Sequence, residues 1–194
     1  MFYYLTSSIN LGWDQIFNAI SKSSDPVFQI LISLLIFVIL YLLSYKLEAI
    51  FYVFNIGFTG ASNLILKNTV KRIRPIGINL TEAHGYSFPS GHASISTAIG
   101  IILIYFILKR VKNKKTAYIL SSFIIAYLVV VGISRIYLGV HYPTDILGGW
   151  LLAGIWSYIT ILAYKFCLRK GLNKFLDKYF TIKLNIFKDK SKPI

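Results

Sequence analysis

One cysteine, three histidines and seven acidic residues are all that this 194-residue chain offers for disulfide, metal or carboxylate chemistry. Cys167 alone cannot close an intramolecular disulfide, and one cysteine with three histidines supplies no Cys/His cluster of the kind that holds zinc. It lies in an apolar run and reads as a small buried hydrophobe. No metal and no cofactor are expected. Charge is also scarce: 14% of the residues carry one, against about a quarter in a typical soluble domain. The first 26 residues lack the basic start and long apolar core of a cleavable leader, so the stretch is expected to stay with the chain.

What the chain has is apolar length. Hydrophobic residues make up 56% of it, mean hydropathy is +0.63 and the formal net charge is +14. A spanning helix needs about 20 mostly apolar residues. Such runs are read at Val27–Leu43, Ala49–Leu66, Gly91–Leu108, Thr116–Ile133 and Ile146–Leu168. The expected fold is all-α: a polytopic membrane helical bundle of about five transmembrane helices. We expect a single domain, with an interfacial segment at 1–26, a transmembrane catalytic core at 27–168 and a basic tail at 169–194. Tyr3, Tyr4, Leu11, Trp13, Ile16, Phe17 and Ile20 give the first segment an amphipathic pattern suited to the membrane surface. The tail is either a surface helix on anionic lipid or partly disordered.

With five spans the loops alternate sides. Lys46, the cluster Lys109, Arg110, Lys112, Lys114 and Lys115, and the C-terminal tail share one side, which the positive-inside rule makes cytoplasmic. The N-terminus, the 67–90 loop and the 134–145 segment lie on the other. Basic loops beside spans are read as contacts to anionic lipid, and nucleic acid is not an expected partner.

Three segments on that outer side hold most of the reactive residues: Lys67 to Pro75, Phe88 to His92, and Ser134 to Asp145. Lys67 and Arg74, seven apart, would share a helix face and could converge on an anion, or could snorkel to the interface. Arginine is the rarer base here, five against sixteen lysines, and both Arg74 and Arg135 fall in these segments, where guanidinium groups suit oxyanions. Ser90 and Gly91 open a helix whose free N–H groups favour an anion; a serine there also serves as an ordinary cap. His141 and Asp145 stand at i and i+4 with Pro143 between them, so at least one sits on a turn. A carboxylate on one ring nitrogen would leave the other free to attack, although the pair alone also fits a structural contact. Together these residues amount to several cations, a nucleophile and an acid at three span ends on one membrane face.

The segments read Lys67-x6-Arg74-Pro75, Pro89-Ser90-Gly91-His92 and Ser134-Arg135-x5-His141-x3-Asp145. In this order and without a substitution they resemble the three motifs of the type 2 phosphatidic acid phosphatase superfamily, over roughly residues 50–168. The resemblance is to small bacterial membrane members that act on phosphatidylglycerophosphate or undecaprenyl diphosphate. It implies a metal-independent lipid phosphatase working through a phosphohistidine. His141 would be the nucleophile, Asp145 its orienting carboxylate and His92 the general acid. Lys67, Arg74, Ser90, Gly91 and Arg135 would bind phosphate. The implied partner is a membrane lipid with a terminal phosphate or diphosphate. Some relatives have six spans, and the expectation here is that the interfacial N-terminal segment stands in place of the first. Lys71 and Arg72 lie outside the fixed motif positions and are expected at the interface; Glu82 and His84 are expected in a solvated loop, and Tyr137, Tyr142 and Trp150 as anchors or packing. The competing readings are a silent phospholipid-binding membrane protein and a vanadate-dependent haloperoxidase, which shares the phosphate site but is typically soluble.

Overall fold

The computed structural model of the chain describes residues 11–77 and 79–179. Tyr3, Tyr4 and the tail beyond Tyr179 lie outside the described residues. Seven α-helices follow one another: α1 Leu11–Lys22, α2 Pro26–Leu42, α3 Lys46–Val70, α4 Gly91–Arg110, α5 Lys114–Tyr137, α6 Pro143–Arg169 and α7 Leu172–Tyr179. Among the described residues there is no strand. Four helices (α3 to α6) are long and apolar enough to cross a membrane, and α1 with α2, bent by 48° at the break between them, makes a fifth if counted as one broken span. The chain is a multi-pass membrane helical bundle.

The helix ends follow local chemistry. Pro26 and Pro143 each stand in the first turn, where a missing N–H is not needed. Ser90 and Asn113 cap α4 and α5, their side chains accepting the amides of Ala93 and Thr116. Lys71 turns left-handed at φ 49° and ends α3. The helices therefore run a turn further than the apolar runs, and Lys67, Ser134 and Arg135 sit on the last turns of α3 and α5.

The central helix is α4, which packs on α6, α5 and α3. Gly149 lets α6 approach it: a Cβ there would lie 3.0 Å from the Ser90 carbonyl oxygen and 3.1 Å from the Ser94 nitrogen. Inside the bundle Asn55 of α3 donates to the Ala98 carbonyl (2.9 Å) and to Ser157 (3.2 Å), and its oxygen accepts from Thr160. One amide thus ties three helices together where lipid offers no competing partner. At the end away from the motifs, Tyr164 donates to Glu48 (2.7 Å), which also pairs with Arg110, over a core of Leu47, Tyr52, Ile99, Ile102 and Phe106. Val27, Ile30, Leu31, Leu34 and Phe123 are exposed on the outside, as a lipid-facing belt requires.

α1 packs against α5 as well as carrying an amphipathic pattern. The Phe17 ring lies 4.3 Å from that of Tyr137, whose hydroxyl donates to Asp14 (2.8 Å). The other side of α1 keeps Trp13 and Ile16 exposed.

Candidate active site

The starts of α2, α4 and α6 and the ends of α3 and α5 meet at one end of the bundle. Loop hydrogen bonds fix them: Ser90 N donates to the Asp145 carbonyl (3.0 Å), Ser87 N to that of Arg72 (2.8 Å) and Leu80 N to that of Leu138 (3.1 Å). The three sequence segments are thereby brought into one cluster.

Asp145, fully buried, stands in the first turn of α6, and His141 in the turn before it. The carboxylate Oδ2 accepts from the Tyr142 amide (2.9 Å) and lies 3.3 Å from His141 Nδ1. On the other side of the ring, Arg74 Nη1 lies 3.2 Å from Nε2. A guanidinium only donates, so Nε2 carries the lone pair and Nδ1 the proton that faces Asp145. Burial pushes the His141 pKa down from 6.5 to about 4; Asp145 opposes the shift, and Arg74 and Arg135 add to it. The ring is neutral at neutral pH, and its Nε2 lone pair accepts from Arg74.

Arg74 is not on the α3 face, because the helix stops at Val70; it returns by the loop. Its guanidinium donates to the carbonyls of Gly85 (3.0 Å), His84 (2.8 Å) and Val140 (2.9 Å), which aim it at His141. Burial lowers its pKa, with Asp145 opposing. Lys67 Nζ donates to the carbonyls of Tyr86 (2.8 Å) and Pro89 (3.0 Å). Arg135 is 3% exposed; its Nη1 donates to Ser21, and its Nε is buried with no partner among the described residues. Such an orphan donor marks a place for an acceptor. Ser90 is fully buried as the N-cap of α4, and Gly91 opens that helix. Arg74 and Arg135 act electrostatically on both His92 and His141.

Four contributions were not legible in the motifs. Arg72, expected at the interface, instead donates from Nη1 to Asp145 Oδ1 (3.0 Å) and Thr144 (2.6 Å) and covers the Tyr142 ring at 4.1 Å. The other three come from the first two helices. Ser21 meets Arg135, Asp25 accepts from His92 Nε2 (2.8 Å), and Gln29 donates to the His92 carbonyl (3.3 Å) and Ser96 (3.1 Å). Their spacing of four was the available signal, since 21, 25 and 29 fall on one side of a helical path even across its bend. Beside Gln29 a cavity of about 760 Å³ runs between α2 and α3, lined by apolar groups including Phe37, Val53 and Ile95.

The family model described as the PAP2 superfamily matches residues 48–169, more than half of the chain. The chain belongs to the PAP2 superfamily. It is 42% identical over 94 residues to phosphatidylglycerophosphatase B of Bacillus subtilis, a match covering 46% of this chain and 45% of that protein. It is 37% identical over 76 residues to the undecaprenyl-diphosphatase of Sulfolobus acidocaldarius, covering 39% and 32%. These matches span less than half the length of either relative. The crystal structure of a transmembrane PAP2 type phosphatidylglycerolphosphate phosphatase from Bacillus subtilis superposes with a TM-score of 0.73 at 25% identity, covering 92% of this chain and 85% of that one. All three motifs of this PAP2 chain lie inside the matched span; Ser21, Asp25 and Gln29 lie before it.

Proposed function

We propose that the chain is a metal-independent membrane lipid phosphatase that works through a phosphohistidine on His141. The observation that carries this reading is the His141 ring: buried, neutral, its proton on the side of Asp145 and its lone pair beside Arg74. A nucleophile held in this way needs no metal to activate it.

The reaction has two balanced halves. The Nε2 lone pair of His141 forms a bond to phosphorus as the P–O bond to the lipid breaks, and His92 gives its proton to the departing oxygen. The now neutral His92 then takes a proton from water, whose oxygen bonds to phosphorus while the P–N bond breaks. The lone pair returns to His141, and inorganic phosphate leaves. Asp145 stabilises the ring as charge develops on it. Lys67, Arg74, Arg135 and the α4 N-terminus at Ser90 and Gly91 hold the phosphoryl oxygens, whose charge is the main burden of the transition state.

The substrate we propose is a membrane lipid ending in a phosphate or diphosphate, with phosphatidylglycerophosphate and undecaprenyl diphosphate as the leading candidates. Its chain would lie in the cavity between α2 and α3, whose apolar lining supports this placement. The positive-inside rule supports an extracytoplasmic site and a cytoplasmic C-terminus, because Lys109, Arg110, Lys112, Lys114 and Lys115 crowd the opposite end. The test is phosphate release in EDTA from phosphatidylglycerophosphate, undecaprenyl diphosphate and phosphatidic acid, with His141→Ala as the blank. Histidine-dependent release and an acid-labile phosphoenzyme are expected. Release that survives the substitution refutes the mechanism, and no release from any of the three favours a lipid-binding role.

A further inference from the structure

We infer that Asp25, from the break between the first two helices, is the positioning residue of the proton donor: its carboxylate holds His92 by Nε2 and leaves Nδ1 for the leaving oxygen. This rests on the proposed role of His92 and extends it to a residue outside the matched family span.

The local structure argues against a simple capping role. Asp25 stands at the N-cap of α2, where an aspartate ordinarily accepts the amides of the first turn. Here its side chain makes no cap bond, and its carbonyl accepts from Gln29 N as the helix begins. The carboxylate reaches instead across 67 positions of sequence to His92, 2.8 Å away. Gln29, one turn on, binds the His92 carbonyl from the same helix, so ring and backbone of this residue are both held by α2. The remaining charges acting on the ring are Arg135 and Arg74, both cations. Among the described residues Asp25 is the anion acting on His92, placed to stabilise the imidazolium form that delivers the proton.

The arrangement mirrors the nucleophile's. Asp145 takes Nδ1 of His141 and frees Nε2; Asp25 takes Nε2 of His92 and frees Nδ1. Opposite ring atoms let two histidines on facing elements present their working nitrogens to one phosphoryl group between them. For metal-ligating histidines, loss of such a carboxylate typically changes affinity or activity roughly 10- to 100-fold, and the same scale is expected for a histidine that delivers a proton.

The test compares two leaving groups. An alkyl lipid phosphate such as phosphatidic acid needs a proton on its departing oxygen, whereas the aryl oxygen of p-nitrophenyl phosphate leaves as a stable anion. Wild type, Asp25→Asn, Asp25→Glu and His92→Ala would be assayed for kcat/KM on both, in detergent, after thermal melts show the fold intact. Asp25→Asn is expected to lose roughly 10- to 100-fold on phosphatidic acid and far less on the aryl phosphate, where nitrophenolate should appear as a burst. Asp25→Glu should recover part of the loss. Equal losses on both substrates, or no loss on either, with His92→Ala still selective for the alkyl substrate, would overturn the inference alone. If His92→Ala shows no such selectivity, the acid role of His92 fails and the inference falls with it.

Discussion

Replacing Arg72 with alanine isolates a contact that the motif spacing did not mark. Asp145 is fully buried and presents Oδ1 to Arg72 and Oδ2 to the Tyr142 amide and His141. Losing Arg72 removes the cation and leaves one buried carboxylate oxygen short of a donor. A hydrogen bond to a charged group contributes about 1.5–3 kcal/mol. The Arg72 side chain is 35% exposed, so solvent screening puts the effect near the lower end, about 1.5 kcal/mol. If Asp145 transmits that loss to the imidazolium of His141 in the transition state, kcat falls roughly tenfold. KM should barely move, because Arg72 spends its guanidinium on Thr144, Asp145 and the Tyr142 face. Steady-state kinetics on phosphatidic acid in mixed micelles reads both constants, and Arg72→Lys, which keeps the charge without the planar fork, should fall between. An unchanged kcat refutes the reasoning. A loss confined to KM refutes it differently, by making Arg72 a headgroup contact.

The depressed pKa of His141, about 4, sets a pH limit for the proposed nucleophile: as pH falls through that value the ring gains a proton and loses the lone pair the mechanism needs. The acid limb of kcat/KM should therefore lie near 4 and not near 6.5, as a pH profile on a soluble short-chain lipid phosphate would reveal. Gly149→Ala places a methyl 3.0 Å from the Ser90 carbonyl and should destabilise the bundle by about 1–3 kcal/mol, with activity falling as the α4 start shifts; melting and turnover would be measured together. Asn55→Leu removes an amide shared by three helices, roughly two turns along α4 from His92. About 1 kcal/mol of stability should go, seen as a lower Tm, with kcat spared. EDTA should leave turnover unchanged, since in the proposed mechanism the protein's own cations hold the phosphoryl group; restoration by added divalent ions would count against that mechanism.

The bundle was legible because apolar runs of spanning length admit few alternatives: the helices from Pro26, Lys46, Gly91, Lys114 and Pro143 fall where hydropathy places them. The clustering of Lys67, Arg74, His92, Arg135, His141 and Asp145 was legible from alternation of sides. Two things escaped. The spacing of Lys67 and Arg74 points to one helix face, whereas a left-handed Lys71 ends the helix and the loop carbonyls of His84 and Gly85 aim Arg74. Loop geometry of that kind depends on backbone acceptors, which every sequence has. The second was the inward reach of Ser21, Asp25 and Gln29. Hydropathy registers Trp13, Phe17 and their neighbours as an interfacial stretch and is silent about which polar residues at a helix break turn toward a distant histidine.

The cavity beside Gln29 lies between two helices, and its own lining residues Ile30, Leu34, Val53 and Phe54 are exposed on the flank of the bundle. If the cavity takes the lipid chain as proposed, the substrate would arrive by sliding within the leaflet. Its supply is then counted in two dimensions, as the mole fraction of substrate among all the amphiphiles surrounding the protein. Adding inert detergent at fixed total substrate would slow the enzyme as surely as withdrawing substrate. A Michaelis constant quoted in molar units would describe the micelles more than the site.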